Sequence, residues 1–290
     1  MPSSSFSLES PKVTEAQLKA LMQNISDNDV ITLDACCPRK PEPDFTVVEL
    51  ANCYRLAWQL LVSGVNVSYT RRLVAAITFH RSATPEQTTS FKLIRARFKQ
   101  IRFACANYSE QHSYPERLHT ITRLMGGFQD SFKNGQKLRT LWRGIKLWCR
   151  LRPGFFGELH ESLVKAQLST LESFQRYIAT ENQQLADAVG EETYLTARQF
   201  HELRKIVSRR IALNDTRRTL YPSPELDELS LFLATINGLM GKMHDELVLQ
   251  EMRKELDYEK QKFKLPDEIA SRIRALVMTQ KGLHRSVAEV

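Results

Sequence analysis

One segment of this chain occurs twice, and that repetition limits the folds open to it. The first copy runs Phe91-Lys92-Leu93-Ile94-Arg95-Ala96-Arg97-Phe98-Lys99-Gln100-Ile101-Arg102, then Tyr114-Pro115-Glu116, then Leu124-Met125-Gly126-Gly127-Phe128-Gln129-Asp130. The second runs Phe200-His201-Glu202-Leu203-Arg204-Lys205-Ile206-Val207-Ser208-Arg209-Arg210, then Tyr221-Pro222, then Leu239-Met240-Gly241-Lys242-Met243-His244-Asp245. Two copies of an arginine-rich helix followed by a glycine turn predict an all-α protein. Its expected form is two pseudo-symmetric helical-bundle units with long helices, whose like faces, carrying positive charge, can meet.

Charge points the same way. The 290 residues carry a net charge of +8. Between Glu86 and Arg152 there are 14 Lys and Arg against 4 Asp and Glu, so the excess is confined to part of the chain. Such confinement suggests an anionic partner rather than a general solubility device. The five cysteines, Cys36, Cys37, Cys53, Cys105 and Cys149, form no C-x-x-C pair and no metal-ligand spacing with histidine, which fits idle thiols in a reducing compartment. The beginning of the chain lacks the basic-then-apolar order of a signal peptide. Outside the N-terminal arm the longest stretch free of formal charge, Leu56 to Thr70, is too short and polar to span a bilayer. A soluble, cytoplasmic chain without a membrane span is the expectation.

Residues 1–45 are rich in Ser and Pro and read as a loosely ordered or externally packed arm. Within it Thr14 and Gln17 have the spacing of a capping box, and Pro38, Pro41 and Pro43 favour extended chain. From Val47 onward helix follows helix, with no convincing strand. Breaks are expected at Gly64 to Ser68, Ser82 to Pro85, Ser113 to Pro115, Pro153-Gly154, Gly190, Pro222 to Pro224 and Pro266. Long helices are expected from about Phe156 to Ala188 and from about Glu225 to Lys262. Residues 46–155 then form the first, degenerate unit and 156–290 the second.

Three helices divide into an apolar and a basic side. Lys92, Arg95, Lys99 and Arg102 share an arc of roughly 80°, with Phe91, Ile94, Phe98 and Ile101 on the buried side. Arg139, Arg143, Lys146 and Arg150 share about 60°, beside an apolar face of Leu141, Trp142, Ile145 and Trp148. His201, Arg204, Lys205, Ser208 and Arg209 span roughly 140°, largely opposite Phe200, Leu203, Ile206, Val207 and Ile211. Solvated helix faces normally mix signs, because i,i+4 ion pairs stabilise a helix and like charges oppose it. Single-sign stripes therefore suggest a bound anion. The prevalence of arginine, whose planar fork makes bidentate contacts, suits phosphate.

The glycines Gly126 and Gly241 read as structural turns that let two helices approach. Asp130 and Asp245 are expected to pair with neighbouring arginines. His201 lies on the basic face and can donate to phosphate whether neutral or charged, although a lone histidine is commonly a core or surface residue. No metal set is expected, since no further ligand falls at the required spacing.

The paired order of these motifs resembles the conserved histidine α-helical domain, or CHAD, family. Each of that family's two four-helix units has a His-x-x-Arg-x-x-x-(Arg/Lys)-Arg helix and a later helix opening near Leu-Gly-x-x-x-Asp. The second copy matches through His201, Arg204, Arg209 and Asp245, with Ser208 where a basic residue is usual. The first keeps Arg95, Lys99, Arg102 and Asp130 but has Lys92 in the histidine's place. The resemblance covers roughly Val47 to Met278, with residues 46–285 together as one CHAD-like domain. It implies non-catalytic binding of inorganic polyphosphate in a basic cleft between the two units, with no cofactor. The Glu-x-Glu-x-Lys strand of the triphosphatase domains found fused to this family is absent from the sequence. The implied ligand set is Lys92, Arg95, Lys99, Arg102, Arg139, Arg143, Lys146, His201, Arg204, Lys205 and Arg209.

Another polyanion could use the same surface. Nucleic acid is one alternative, and an interaction or scaffold protein docking acidic partners or anionic lipid is another. Single-strand binding normally interleaves exposed aromatics, whereas Phe91, Phe98, Trp142, Trp148 and Phe200 are expected in cores. An enzyme is least supported, because neither a P-loop nor a nucleophile motif occurs in the sequence.

Overall fold

The computed structural model describes residues 8, 12–38, 45–190 and 194–287, with side chains through residue 279. Among these the chain is mostly helical, with two three-residue strands. The helices are α1 (Glu15–Asp27), α2 (Val47–Gly64), α3 (Val67–His80), α4 (Pro85–Tyr108), α5 (Glu116–Lys133), α6 (Lys137–Arg150), α7 (Pro153–Val164), α8 (Leu171–Asp187), α9 (Ala197–Leu220), α10 (Pro224–Met252) and α11 (Asp267–Val287). The strands β1 (Tyr194–Thr196) and β2 (Lys262–Lys264) pair antiparallel, with Leu195 opposite Phe263. The chain divides into two compact units, residues 1–18 with 50–169 and residues 19–49 with 170–290. That division places residues 19–49 with the C-terminal unit and moves the main boundary from 155 to 169.

Helix starts follow local chemistry. Thr84 and Gln87 form a capping box at the start of α4, and Thr196 and Gln199 form another at the start of α9. Both of these repeat helices are 24 residues long. The Thr14–Gln17 box also forms, with Gln17 N–H donating to Thr14 Oγ1 at 3.2 Å and Thr14 N–H to Gln17 Oε1 at 2.9 Å. The helix expected over 156–188 is instead two. Pro153 opens α7 at the first position, and Thr170 caps a new helix whose Ser173 N–H it accepts. The second long helix stops at Met252 rather than near 262, and Lys254 adopts φ 62°, a left-handed conformation that ends helices.

In the N-terminal unit α5 packs against α4 and α6, and α3 packs against α4, α6 and α7. Its core contains Tyr54, Phe91, Phe98 and Phe128, all fully buried, and the Phe91, Phe128 and Phe132 rings meet edge to face at 5.3–5.7 Å. Gly144 on α6 allows a close approach. A methyl there would come within 2.8 Å of Phe128 Cε2 and 2.9 Å of Thr78 Cβ, and nearer still to Thr78 Oγ1.

In the C-terminal unit α9 lies along α10, and α8 and α11 complete a core that includes Phe200, Val207, Ile211, Leu233, Ile236 and Met240. Residues 28–35, none of them buried, are held to this unit by hydrogen bonds. Thr235 Oγ1 accepts from Thr32 N–H and donates to Thr32 O, both at 3.0 Å. Asn237 Nδ2 donates to Asn28 O at 2.7 Å, and Gly238 leaves room for the Asp29 carbonyl. Leu21 on α1 is fully buried. The extended chain expected at Pro41 and Pro43 lies outside the described residues.

Candidate functional site: arginines seated on helix glycines

Both repeat glycines sit inside helices, so neither forms the expected turn. Gly126 lies within α5 and Gly241 within α10. Each one faces an arginine of the preceding repeat helix. A Cβ built on Gly126 would lie 3.2 Å from Arg95 Nη2, and one on Gly241 would lie 3.2 Å from Arg204 Nη2. The same arrangement thus recurs in each unit, with the end of a guanidinium against a helix where a side chain would otherwise stand. Its surroundings recur too. Phe91 and Phe200 are both fully buried one turn before the arginine, and Met125 and Met240 are both fully buried beside the glycine.

The N-terminal unit adds a second seat. Gly127 receives Arg143 from α6, whose Nη1 would be 3.2 Å from a Cβ there and donates to Gly127 O at 2.5 Å and Ser131 Oγ at 2.8 Å. Two adjacent glycines of α5 therefore hold one guanidinium from each flanking helix. Arg95 Nη1 also donates to Gln129 Oε1 at 3.4 Å, and Arg102 Nη1 donates to Thr122 Oγ1 at 3.2 Å. The Arg102 guanidinium lies 4.8 Å from the Tyr114 ring, which stacks on His119, and Lys99 Nζ lies 5.3 Å from the Phe103 ring. Lys92, Arg139 and Lys146 are exposed.

Much of the expected charge in the C-terminal unit is neutralised. Arg209 Nη2 and Nε lie 2.6 and 2.7 Å from Glu181 Oε1 in a buried pair that Tyr177 OH joins at 2.7 Å. Lys205 Nζ is 2.7 Å from Glu202 Oε1, one turn back on the same helix. Ser208 belongs to the buried side, where its Oγ meets Asn237 Oδ1 at 2.9 Å. The carboxylates expected to fix arginines do not do so by ion pairing. Asp130 is exposed and makes no ion pair among the described residues, and Asp245 pairs with His244 Nδ1 at 3.4 Å. Asp245 and Asp29 act on Arg204 only as nearby negative charges, against the burial that lowers its pKa.

What remains together is His201, His244 and Arg204. The two imidazole rings lie 4.7 Å apart, centroid to centroid. Burial, then the neighbouring His244 and Lys205, push the His201 pKa down to about 4, so the ring is neutral near pH 7. His201 Nδ1 and Arg204 Nε are buried and have no hydrogen-bond partner among the described residues. Buried groups left this way are uncommon in folded proteins. His244 follows from the sequence only through its position in the repeat, and Gly127 only once α6 is seen beside α5.

One correction concerns the aromatics. Phe91, Phe98 and Phe200 are core residues as expected, but Trp142 is 64% exposed and Trp148 41%. Core placement therefore cannot count against stacking on bases for those two rings. No metal-binding group of three or more His, Cys, Asp or Glu occurs among the described residues. None of their helices is long and apolar enough to cross a membrane. No family model matches the chain, and neither does any curated protein or solved structure.

Proposed function

We propose that this protein binds inorganic polyphosphate without transforming it, and that it is a pseudo-symmetric relative of the CHAD family. The observation that carries this reading is that two adjacent glycines of α5, Gly126 and Gly127, each hold a guanidinium, Arg95 from α4 and Arg143 from α6. Lys92, Lys99 and Arg102 on α4 and Arg139 and Lys146 on α6 are the further cations of the N-terminal unit that this reading assigns to the phosphate chain. Hydrogen bonds to Gly127 O and Ser131 Oγ restrict the Arg143 guanidinium before a ligand arrives, which lowers the entropy lost when it meets a phosphate. Polyphosphate has a charge on every unit and no bases, so it asks for donors and nothing to read or stack.

The C-terminal unit contributes less than the sequence suggests. Arg209 and Lys205 are already paired with carboxylates, which leaves Arg204 and His201 as the donors for an anion there. Nucleic acid is the competing ligand, favoured by the exposure of Trp142 and Trp148 beside basic residues.

The test is competition near physiological salt, with labelled long-chain polyphosphate challenged by single-stranded DNA, duplex DNA, RNA and heparin at equal charge. Polyphosphate is expected to prevail. Arg95→Glu combined with Arg204→Glu is expected to abolish binding while leaving the helical circular dichroism intact. Retained affinity in that double variant would sink the site assignment, and stronger binding of a nucleic acid would transfer the surface to that ligand.

A further inference from the structure

Helix α6 has three sides, only one of which the fold uses. Thr140, Gly144 and Leu147 form the buried side, against α3 and α5. A second side is basic and solvent-facing, with Arg139, Lys146 and Arg150 exposed. The third is apolar and also open to solvent: Leu138 is 69% exposed, Trp142 64% and Ile145 43%. At 100° per residue the residues named on these three sides occupy arcs of roughly 60°, 40° and 60°. The helix contains five Lys and Arg and no acid.

We infer that α6 docks the protein on an anionic lipid surface, its apolar side entering the interfacial region and its basic side meeting lipid phosphates. Helices that lie in a bilayer interface combine Trp and Leu on one side with Lys and Arg on the next, and their basic residues select anionic lipid. Spanning is not required, which agrees with the absence of a membrane-crossing helix among the described residues. A single nucleic-acid strand fits this side less well. Aliphatic residues separate the rings, and the Trp148 ring already lies 4.4 Å from the Arg71 guanidinium. A second copy of the chain fits less well again, because a two-fold contact through this side brings two basic rows together.

This inference does not rest on the polyphosphate reading. The full chain is mixed with phosphatidylcholine vesicles, with or without phosphatidylglycerol, near physiological salt, and sedimentation and tryptophan emission are recorded. The three tryptophans are Trp58, Trp142 and Trp148, and Trp58 is 4% exposed, so a blue shift reports the other two. Co-sedimentation and a blue shift are expected only with the anionic vesicles. The triple variant Leu138→Gln, Trp142→Gln, Ile145→Gln should lose about tenfold or more in vesicle partitioning, with polyphosphate affinity unchanged. Arg139→Glu, Lys146→Glu, Arg150→Glu should lose it as well. The inference is overturned by a lack of co-sedimentation, or by undiminished vesicle binding in the glutamine triple, which would mean adsorption by charge alone. It is equally overturned by a wild-type dimer that the glutamine triple dissolves, or by single-stranded DNA quenching the exposed tryptophans while vesicles leave them unchanged.

Discussion

The same substitution, glycine to alanine, should have opposite consequences at two positions in the N-terminal unit. In a helix interior alanine is favoured over glycine by about 1 kcal/mol. At Gly126 the new methyl meets the far end of the Arg95 side chain at 3.2 Å, a flexible neighbour that need shift only by tenths of an ångström. Gly126→Ala should therefore leave stability unchanged or raise it by up to about 1 kcal/mol. At Gly144 the methyl collides with Thr78 Oγ1 and sits 2.8 Å from a buried ring carbon of Phe128. Thr78 cannot rotate away freely, because its hydroxyl donates to Val74 O at 2.6 Å in a buried setting. Overpacking of about 1–3 kcal/mol and a lost buried hydrogen bond of about 1 kcal/mol outweigh the propensity gain, for a net loss of about 1–3 kcal/mol. All three tryptophans lie in this unit, so urea unfolding followed by tryptophan fluorescence reports it selectively. The expected order of midpoints is Gly126→Ala, then wild type, then Gly144→Ala. Adding Thr78→Ala to Gly144→Ala should recover part of the loss. Equal midpoints for the two alanine variants would refute the argument, because it depends wholly on what each methyl meets.

Three further outcomes follow from named contacts. Glu181→Gln removes the carboxylate that Arg209 and Arg210 share in a buried setting; it should destabilise the C-terminal unit by about 3–5 kcal/mol, seen by circular dichroism in urea. The His201 pKa falls to about 4 in the folded chain, from an ordinary value of 6.5. The unfolded chain therefore takes up this proton first, and stability should decline as pH falls from about 6.5 to about 4 and level off below. Allowing for partial solvent access, the loss is on the order of 1–2 kcal/mol, and His201→Gln should remove that step from the pH profile of the midpoint. Polyphosphate affinity should fall steeply with salt, and Arg95→Ala should reduce the slope of log K against log salt by about 1 if that guanidinium meets a phosphate.

Local chemistry in this sequence determined where helices begin and which class of fold results. The threonine–glutamine box expected at Thr14 forms, and boxes of the same spacing form at Thr84 and Thr196, because a capping box involves only atoms within one turn of chain. The apolar periodicity of α4 and α9 likewise places Phe91, Phe98, Phe200 and Val207 in cores. Tertiary structure decided what the basic stripes could keep. Arg209 looked available from its own helix, yet Glu181 reaches it from α8, 28 residues earlier in the chain. The seat that Gly127 offers Arg143 arises only when α6 lies beside α5. The sharpest divide is at α6 itself. Its sequence shows an apolar arc and a basic arc, and hydrophobicity alone predicts that the tryptophans turn inward. They face outward because Thr140 and Gly144 admit α3 and α5 at a distance that a tryptophan side could not allow. Periodicity tells which residues share a side of a helix, but packing, through the size of what must fit, selects the side that is buried.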